Sequence, residues 1–380
     1  MSGTAKTSLW TFIIDNHLLL VGGTVGALVW ANLHYASYQR IAHILHFPVN
    51  DIGMVFFFAL AMKEIVEATL PGGALASPKQ AAVPLLAAVG GMAGPAILYA
   101  ILVTIVNRPE LMPGWAIPCA TDIAFSYMAA RLIFSQEHPA IPFLLLLAIA
   151  DDALGLILIA VFYPSGPLSF ISFAAFMIPA LAVAFWLKHR RVRNFWTYTV
   201  LSGGLSWTAF YLGGFHPALA LVPILPFMPH EQRDLGLFNP DERELPDTMN
   251  QFEHWWRVPV QGILLLFGFT NAGVAFSGVG TGTWIVVSSL LIGKPVGIMI
   301  MTFLAVMFGL RLSSGLSYSH TAVLGVAAGI GFTVALFFAT AAFPPGDILD
   351  EVKMGALLSF TALPLAVVLG RAAGLHPKRH

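Results

Sequence analysis

Four ionisable side chains stand deep inside apolar sequence, where they are costly. Asp151 and Asp152 are adjacent at the centre of Ile141 to Tyr163, IPFLLLLAIADDALGLILIAVFY, with ten residues before them and eleven after. The stretch is long enough to cross a bilayer core as a helix, which takes about 20 residues. A carboxylate at mid-depth is expensive unless it meets water, a counter-charge or an ion. Adjacent helical residues point about 100° apart, so the two aspartates are expected to face different partners, one lining a cavity and the other meeting a counter-charge. Asp122, in GWAIPCATDIAFSYMAA, is the third carboxylate, with Thr121 beside it. Lys294, in VVSSLLIGKPVGIMIMTFLAV, is a cation with about ten mostly apolar residues on its N-terminal side. A lysine at that depth needs an acidic partner or sheds its proton. Carboxylates and a hydroxyl form an oxygen-only set that suits a hard cation such as sodium or lithium.

The elements that carry these residues are expected to be broken. Pro113, Gly114 and Pro118 precede Asp122 within one apolar run. Proline removes a backbone donor and clashes with the preceding turn, so that helix is expected to be interrupted near its middle. An interruption exposes a helix N-terminus, whose partial positive charge suits a carboxylate. Asp122 therefore has two readings, neutralising those ends or binding the ion directly. The run His320 to Phe343 carries Gly325, Gly329, Gly331 and Thr333. Its glycines allow either unwinding at the centre or close packing on a neighbour.

The whole chain is built for a membrane. Of 380 residues, 57% are hydrophobic and 10% charged, against about 25% charged in soluble domains. We expect an all-α polytopic protein, one integral membrane domain over 1–380, with twelve spans. These are roughly 17–34, 47–69, 80–104, 113–134, 139–163, 168–187, 195–211, 213–229, 252–275, 283–310, 318–343 and 349–370. The first apolar run follows Lys6 alone and is expected to be retained rather than cleaved. With the N-terminus inside, thirteen lysines and arginines fall in inside segments, against Arg40, Arg108 and Lys353 outside. That bias favours both termini in the cytoplasm. The polar loop His230 to Asn250 is expected on the same face, as a solvated connector or a regulatory surface.

The two interrupted spans sit in matching places. One lies within spans three to five and the other within spans ten to twelve, an odd offset, so the trios run in opposite senses across the membrane. Such an inverted repeat points to a transport site at the midplane. The core is expected over about 80–163 and 283–370, with the other helices as scaffold. Net charge is zero, so bulk charge points to no nucleic-acid partner. Cys119 is the single cysteine, which rules out an intrachain disulfide. There is no Cys/His cluster and no nucleotide-binding loop, so no cofactor is expected and the remaining drive is an ion gradient.

At these residues the chain resembles the NhaA family of sodium/proton antiporters. The resemblance runs from about Val49 to the last span through VNDIGMVFF, LASPKQAAVPLLAAVGGM, GWAIPCATDIAF, LAIADDALGLILIAVFY, GFHPALA, FTNAGV, LLIGKPVGI and GIGFTVALFFATAAF. It implies twelve helices, two of them discontinuous and crossing at mid-membrane around Pro118, Gly329 and Gly331. By the resemblance, Asp152 is the main ion- and proton-binding carboxylate. Asp151 is its neighbour, paired with Lys294 in one state. Asp122 and Thr121 lie beside the site. Glu253 and His254 match an acidic–histidine pair in a cytoplasmic pH-sensing region, with Glu64 and Glu67 loosely equated to its acids. His216 matches a histidine linked to the pH profile. The segment His34 to Asn50 is too short for the extended hairpin that joins two protomers in the family's best-known members.

The expected activity is electrogenic exchange of sodium or lithium for protons, serving pH and sodium homeostasis in a bacterial inner membrane. The expected partners are those ions, the lipid bilayer and a possible second copy of the chain. A sodium-coupled organic-anion symporter is the alternative on a related fold, although an Asp-Asp pair repels an anion. An intramembrane hydrolase would need its two aspartates on separate helices. A passive channel needs no titratable lysine at the site.

Overall fold

The computed structural model describes residues 18–76, 78–230 and 247–375. Every regular element among them is helical. The described residues open with α1 (Leu18–Leu33), followed by α2 (Tyr35–His46) and α3 (Met54–Thr69), which are joined through a π-helical turn, Phe47–Gly53. Next come α4 (Pro78–Val106), a 3-10 segment Pro109–Cys119, and α5 (Ile123–Ile133). Then follow α6 (Ala140–Phe162), α7 (Phe170–His189) and α8 (Gly203–Gly213). The second half holds α9 (Thr248–Asn271), α10 (Thr281–Ser288), a π-helical turn Ser289–Gly293 and α11 (Lys294–Met307). It closes with α12 (Tyr318–Ala328), α13 (Phe332–Ala342), α14 (Asp347–Leu358), a 3-10 turn Ser359–Thr361 and α15 (Ala362–Ala372).

Six helical runs among the described residues are long and apolar enough to cross a membrane, and the bent pair α12–α13 makes a seventh. Their outward faces are apolar, as lipid-facing surfaces are. On α11, Val296, Ile300, Phe303 and Met307 recur at helical spacing and are each about half exposed or more.

Small residues bring the helices that matter into contact. Along the crossing of α4 and α11, a Cβ on Gly90 or Gly94 would collide with the backbone of Gly297 or Gly293. Glycine at all four positions lets the two backbones touch, and this sets Lys294 against α4 at the start of α11. On the other flank α1 packs on α9, where Gly23 meets the Leu265 carbonyl. Tyr38 caps that flank: its Oη lies 2.8 and 3.0 Å from the carbonyls of Phe269 and Thr270 and accepts the Gly273 N–H at 3.0 Å.

Three expectations change. The second span, expected over 47–69, is the end of one helical run, Tyr35–Thr69. The segment after the first span, expected to be too short for an extended hairpin, is helical. The eighth span, expected over 213–229, is not a helix. It consists of turns, with short 3-10 pieces at Pro217–Leu219 and Leu225–Phe227. Gly214 turns the chain with φ 77°, and Pro217, Pro223, Pro226 and Pro229 forbid a continuous ladder. Such backbone persists at membrane depth only where protein covers it, and residues 217–221, 224 and 225 are buried. In the fourth span the half before the break is a 3-10 segment rather than an α-helix, because Pro109, Pro113 and Pro118 punctuate it. Most of the polar loop expected over His230 to Asn250 lies outside the described residues.

Candidate functional site

The two helix breaks meet. The first spans residues 120–122, where Ala120 and Asp122 are extended (ψ 148° and 102°) between the 3-10 segment and α5. The second, at Gly329–Gly331, bends α12 against α13 by 51°. They are stitched by backbone and side chain. The Asp122 N–H donates to the Ile330 carbonyl at 2.7 Å. Ser126 Oγ donates to the Ala327 carbonyl at 3.0 Å. Thr121 Oγ1 lies 3.1 Å from the Ala328 carbonyl. The glycines belong there for space: a Cβ on Gly329 would press on the Leu290 carbonyl, and one on Gly331 on Ala335 and the Ala120 carbonyl.

Against this crossing α6 lays its central aspartates. Asp151 is 2% exposed. Its Oδ2 accepts from Lys294 Nζ at 2.8 Å and from Thr121 Oγ1 at 2.6 Å. Thr121 has one proton for two acceptors, so its bond to Asp151 competes with its bond to the Ala328 carbonyl. Lys294 is fully buried and also donates to the Cys119 carbonyl, which the break leaves without a helical partner. The other oxygen of Asp151, Oδ1, is buried with no hydrogen-bond partner among the described residues. Asp152 diverges from its neighbour, as helix geometry requires. Both line a small cleft walled by Phe57, Phe58, Ala61, Ala120, Gly155, Leu156, Ile159 and Val334.

Asp122 is 7% exposed and caps α5 only by position. Its Oδ2 turns instead to the start of α13, accepting from the Thr333 N–H at 3.2 Å and from the Thr333 hydroxyl. It thus sits at a helix N-terminus, although that helix belongs to the opposite break. Pro118 is buried in the 3-10 segment one turn before Asp122.

The other candidates form a second group and an outlier. Lys63, 4% exposed, bridges Glu67 at 2.5 Å and Glu253 at 2.7 Å, tying α3 to α9. Glu64 follows Phe57 and Ala61 on α3 at spacings that share a helix face, so it continues the cleft wall towards this group. His254 points to the exterior, away from its neighbour Glu253. His216 is not with them. Its Nδ1 accepts the Ala218 N–H at 3.4 Å and its ring packs on Phe337 at 4.7 Å, in a turn packed on the π-helical turn Phe47–Gly53 at the start of α3.

Lys63, Ser359 and the carbonyls of Cys119 and Ala328 join the site or its surroundings without having been candidates from the sequence. Lys63 carried a signal, a lysine four residues before Glu67 in apolar sequence. The carbonyls carried none, because any residue supplies one.

The model of the family described as Na+/H+ antiporter 1 matches residues 14–372. The chain belongs to the Na+/H+ antiporter 1 family. Among curated relatives, the Na(+)/H(+) antiporter NhaA of Geobacter metallireducens is 45% identical over 361 residues, 93% of this chain and 94% of that protein. The NhaA of Desulfitobacterium hafniense is 44% identical over 385 residues, covering 99% and 98%. Among solved structures, the sodium proton antiporter MjNhaP1 of Methanocaldococcus jannaschii aligns with TM-score 0.54 at 16% identity, over 95% of this chain and 91% of that one. That likeness is one of fold. This membership makes the chain a membrane transporter rather than an enzyme.

Proposed function

We propose that this chain exchanges sodium or lithium for protons, with Asp152 and Asp151 as the carboxylates for which the ions compete. The observation that carries the reading is the pairing within one cleft. Asp152 and Asp151 line the same cleft, Lys294 holds Oδ2 of Asp151, and its Oδ1 has no hydrogen-bond partner among the described residues. A hard cation needs several oxygens at once. Asp152, Asp151 and Thr121 supply them, provided that Asp151 gives up Lys294.

The cycle follows from charge. With Asp151 bound to Lys294 that pair is neutral, and Asp152 carries a proton. An arriving cation displaces the proton from Asp152 and takes Asp151 from Lys294. Lys294, left buried without its carboxylate, sheds its proton or moves. More than one proton leaves per cation when both groups respond, which makes exchange electrogenic. Asp122 stays with Thr333, holding the crossed breaks while the core over about 80–163 and 283–370 moves against the remaining helices. The Lys63 group lies where α3 leaves the cleft, and we place it at a cytoplasmic mouth, with both termini on that side of a bacterial inner membrane. A homodimer on this reading uses a surface other than a hairpin.

Everted vesicles test the assignment. Asp152→Asn should abolish sodium-dependent dequenching of a pH-gradient dye while the protein still reaches the membrane. Undiminished dequenching in that variant would sink it. The anion-symporter alternative is not favoured: two carboxylates line the cleft, and the relatives found are antiporters.

A further inference from the structure

The 3-10 turn of the last helical run reaches the crossing through a hydroxyl that the exchange cycle does not use. Ser359 opens the 3-10 turn between α14 and α15 and is fully buried. Its Oγ donates to the Ala356 carbonyl at 2.6 Å. That fixes the hydroxyl proton within its own helix and leaves the lone pairs to others. They accept the N–H groups of Gly331 and Phe332, each at 3.3 Å. The next amide, that of Thr333, goes to Asp122. The leading amides of a helix have no partner inside it. At the start of α13 three of them are divided between one hydroxyl and one carboxylate. Aromatic rings key the same 3-10 turn against the helices that follow both breaks. Phe360 lies 5.0 Å from Phe125 in α5 and 5.7 Å from Phe332 in α13, and those two rings are 5.5 Å apart.

Resting on the exchange reading above, we propose that Ser359 is a positioning residue for the cation site: it holds the start of α13 so that Thr333 is presented to Asp122, and thereby sets sodium affinity. Without the hydroxyl, the Gly331 and Phe332 amides lose their acceptor in a buried place, which is costly. The acceptor already present at that helix start is the Asp122 carboxylate. Drawing α13 towards it shifts Ile330, which holds the Asp122 backbone, and Ala328, which shares the Thr121 hydroxyl with Asp151. A serine one helix away from the ion thus reaches both oxygen donors beside the site.

The test is exchange by purified protein in proteoliposomes at one fixed pH, read against sodium concentration. Ser359→Ala should raise the apparent KM for sodium roughly tenfold, the scale of a buried amide left without its acceptor, with the maximal rate within about twofold. Ser359→Thr, which keeps the oxygen, should return KM towards the parent value. Thr361→Ala removes a hydroxyl from the same 3-10 turn, but that hydroxyl is exposed and bonds the Leu358 carbonyl at 2.7 Å. It should leave KM unchanged. If Ser359→Ala does not give monodisperse protein, Ser359→Cys weakens the acceptor without opening a cavity and must raise KM above that of Ser359→Thr. An unchanged KM in the Ala and Cys variants, or a fall in maximal rate alone, overturns the proposal. Absence of exchange in the parent protein overturns the exchange reading instead, so the two failures are distinguishable.

Discussion

Lys294 and Lys63 are both lysines withdrawn from water, and they are partnered in opposite ways. Lys294 meets one carboxylate, and both side chains of that pair are 0% exposed. Lys63 meets two, whose side chains are 30% and 37% exposed. The first pair is dry and matched one to one. Any cation that reaches Asp151 competes directly with the lysine, and separating the pair leaves a bare charge on each side. The second is wet and over-supplied with acid, so losing one carboxylate leaves another in place and water close by. The first is therefore suited to switching during a cycle, and the second to holding α3 against α9.

The comparison can be broken by removing each lysine. Lys294→Ala should lower stability by about 3–5 kcal/mol, because Asp151 is left buried and charged. This is the largest effect expected, and it would be read as a fall in the temperature at which detergent-solubilised protein loses its monodisperse peak. Adding Asp151→Asn to Lys294→Ala should recover most of that loss, since the second change removes the orphaned charge. Strict additivity of the two losses would contradict the one-to-one pairing. Lys63→Met should cost only about 1 kcal/mol, as expected for a pair with partly exposed partners. A loss equal to that of Lys294→Ala would erase the distinction. Glu253→Gln should cost less still, because Glu67 remains on Lys63. The smallest effect concerns salt. Choline chloride screens partly exposed charges and barely reaches dry ones, so it should narrow the gap between parent and Lys63→Met while leaving that of Lys294→Ala unchanged.

What was legible in the sequence follows from what is anomalous in it. Asp151, Asp152, Asp122 and Lys294 stood out because each is a charge in apolar surroundings. The break before Asp122 was visible in Pro113 and Pro118, and the second in Gly329 and Gly331. The eighth span misled because hydropathy reports burial, and the buried turns over 213–229 are as apolar as a helix. The prolines were the better guide. The crossing itself was hidden. It rests on the carbonyls of Cys119, Ala328 and Ile330 and on Ser359, 27 residues beyond Phe332, and backbone groups leave no trace in residue type. Divergence of the two aspartates followed from helix geometry alone, whereas the separation of His216 from Glu253 needed the tertiary packing.

In the proposed exchange, sodium and protons compete for the same carboxylates. Calorimetric titration of sodium into purified protein tests it most directly, run in buffers of different ionisation enthalpy so that released protons are counted. Proton release on sodium binding is expected in the parent protein, with neither binding nor release in Asp152→Asn. Sodium binding without proton release in the parent, or unchanged release in Asp152→Asn, would contradict it.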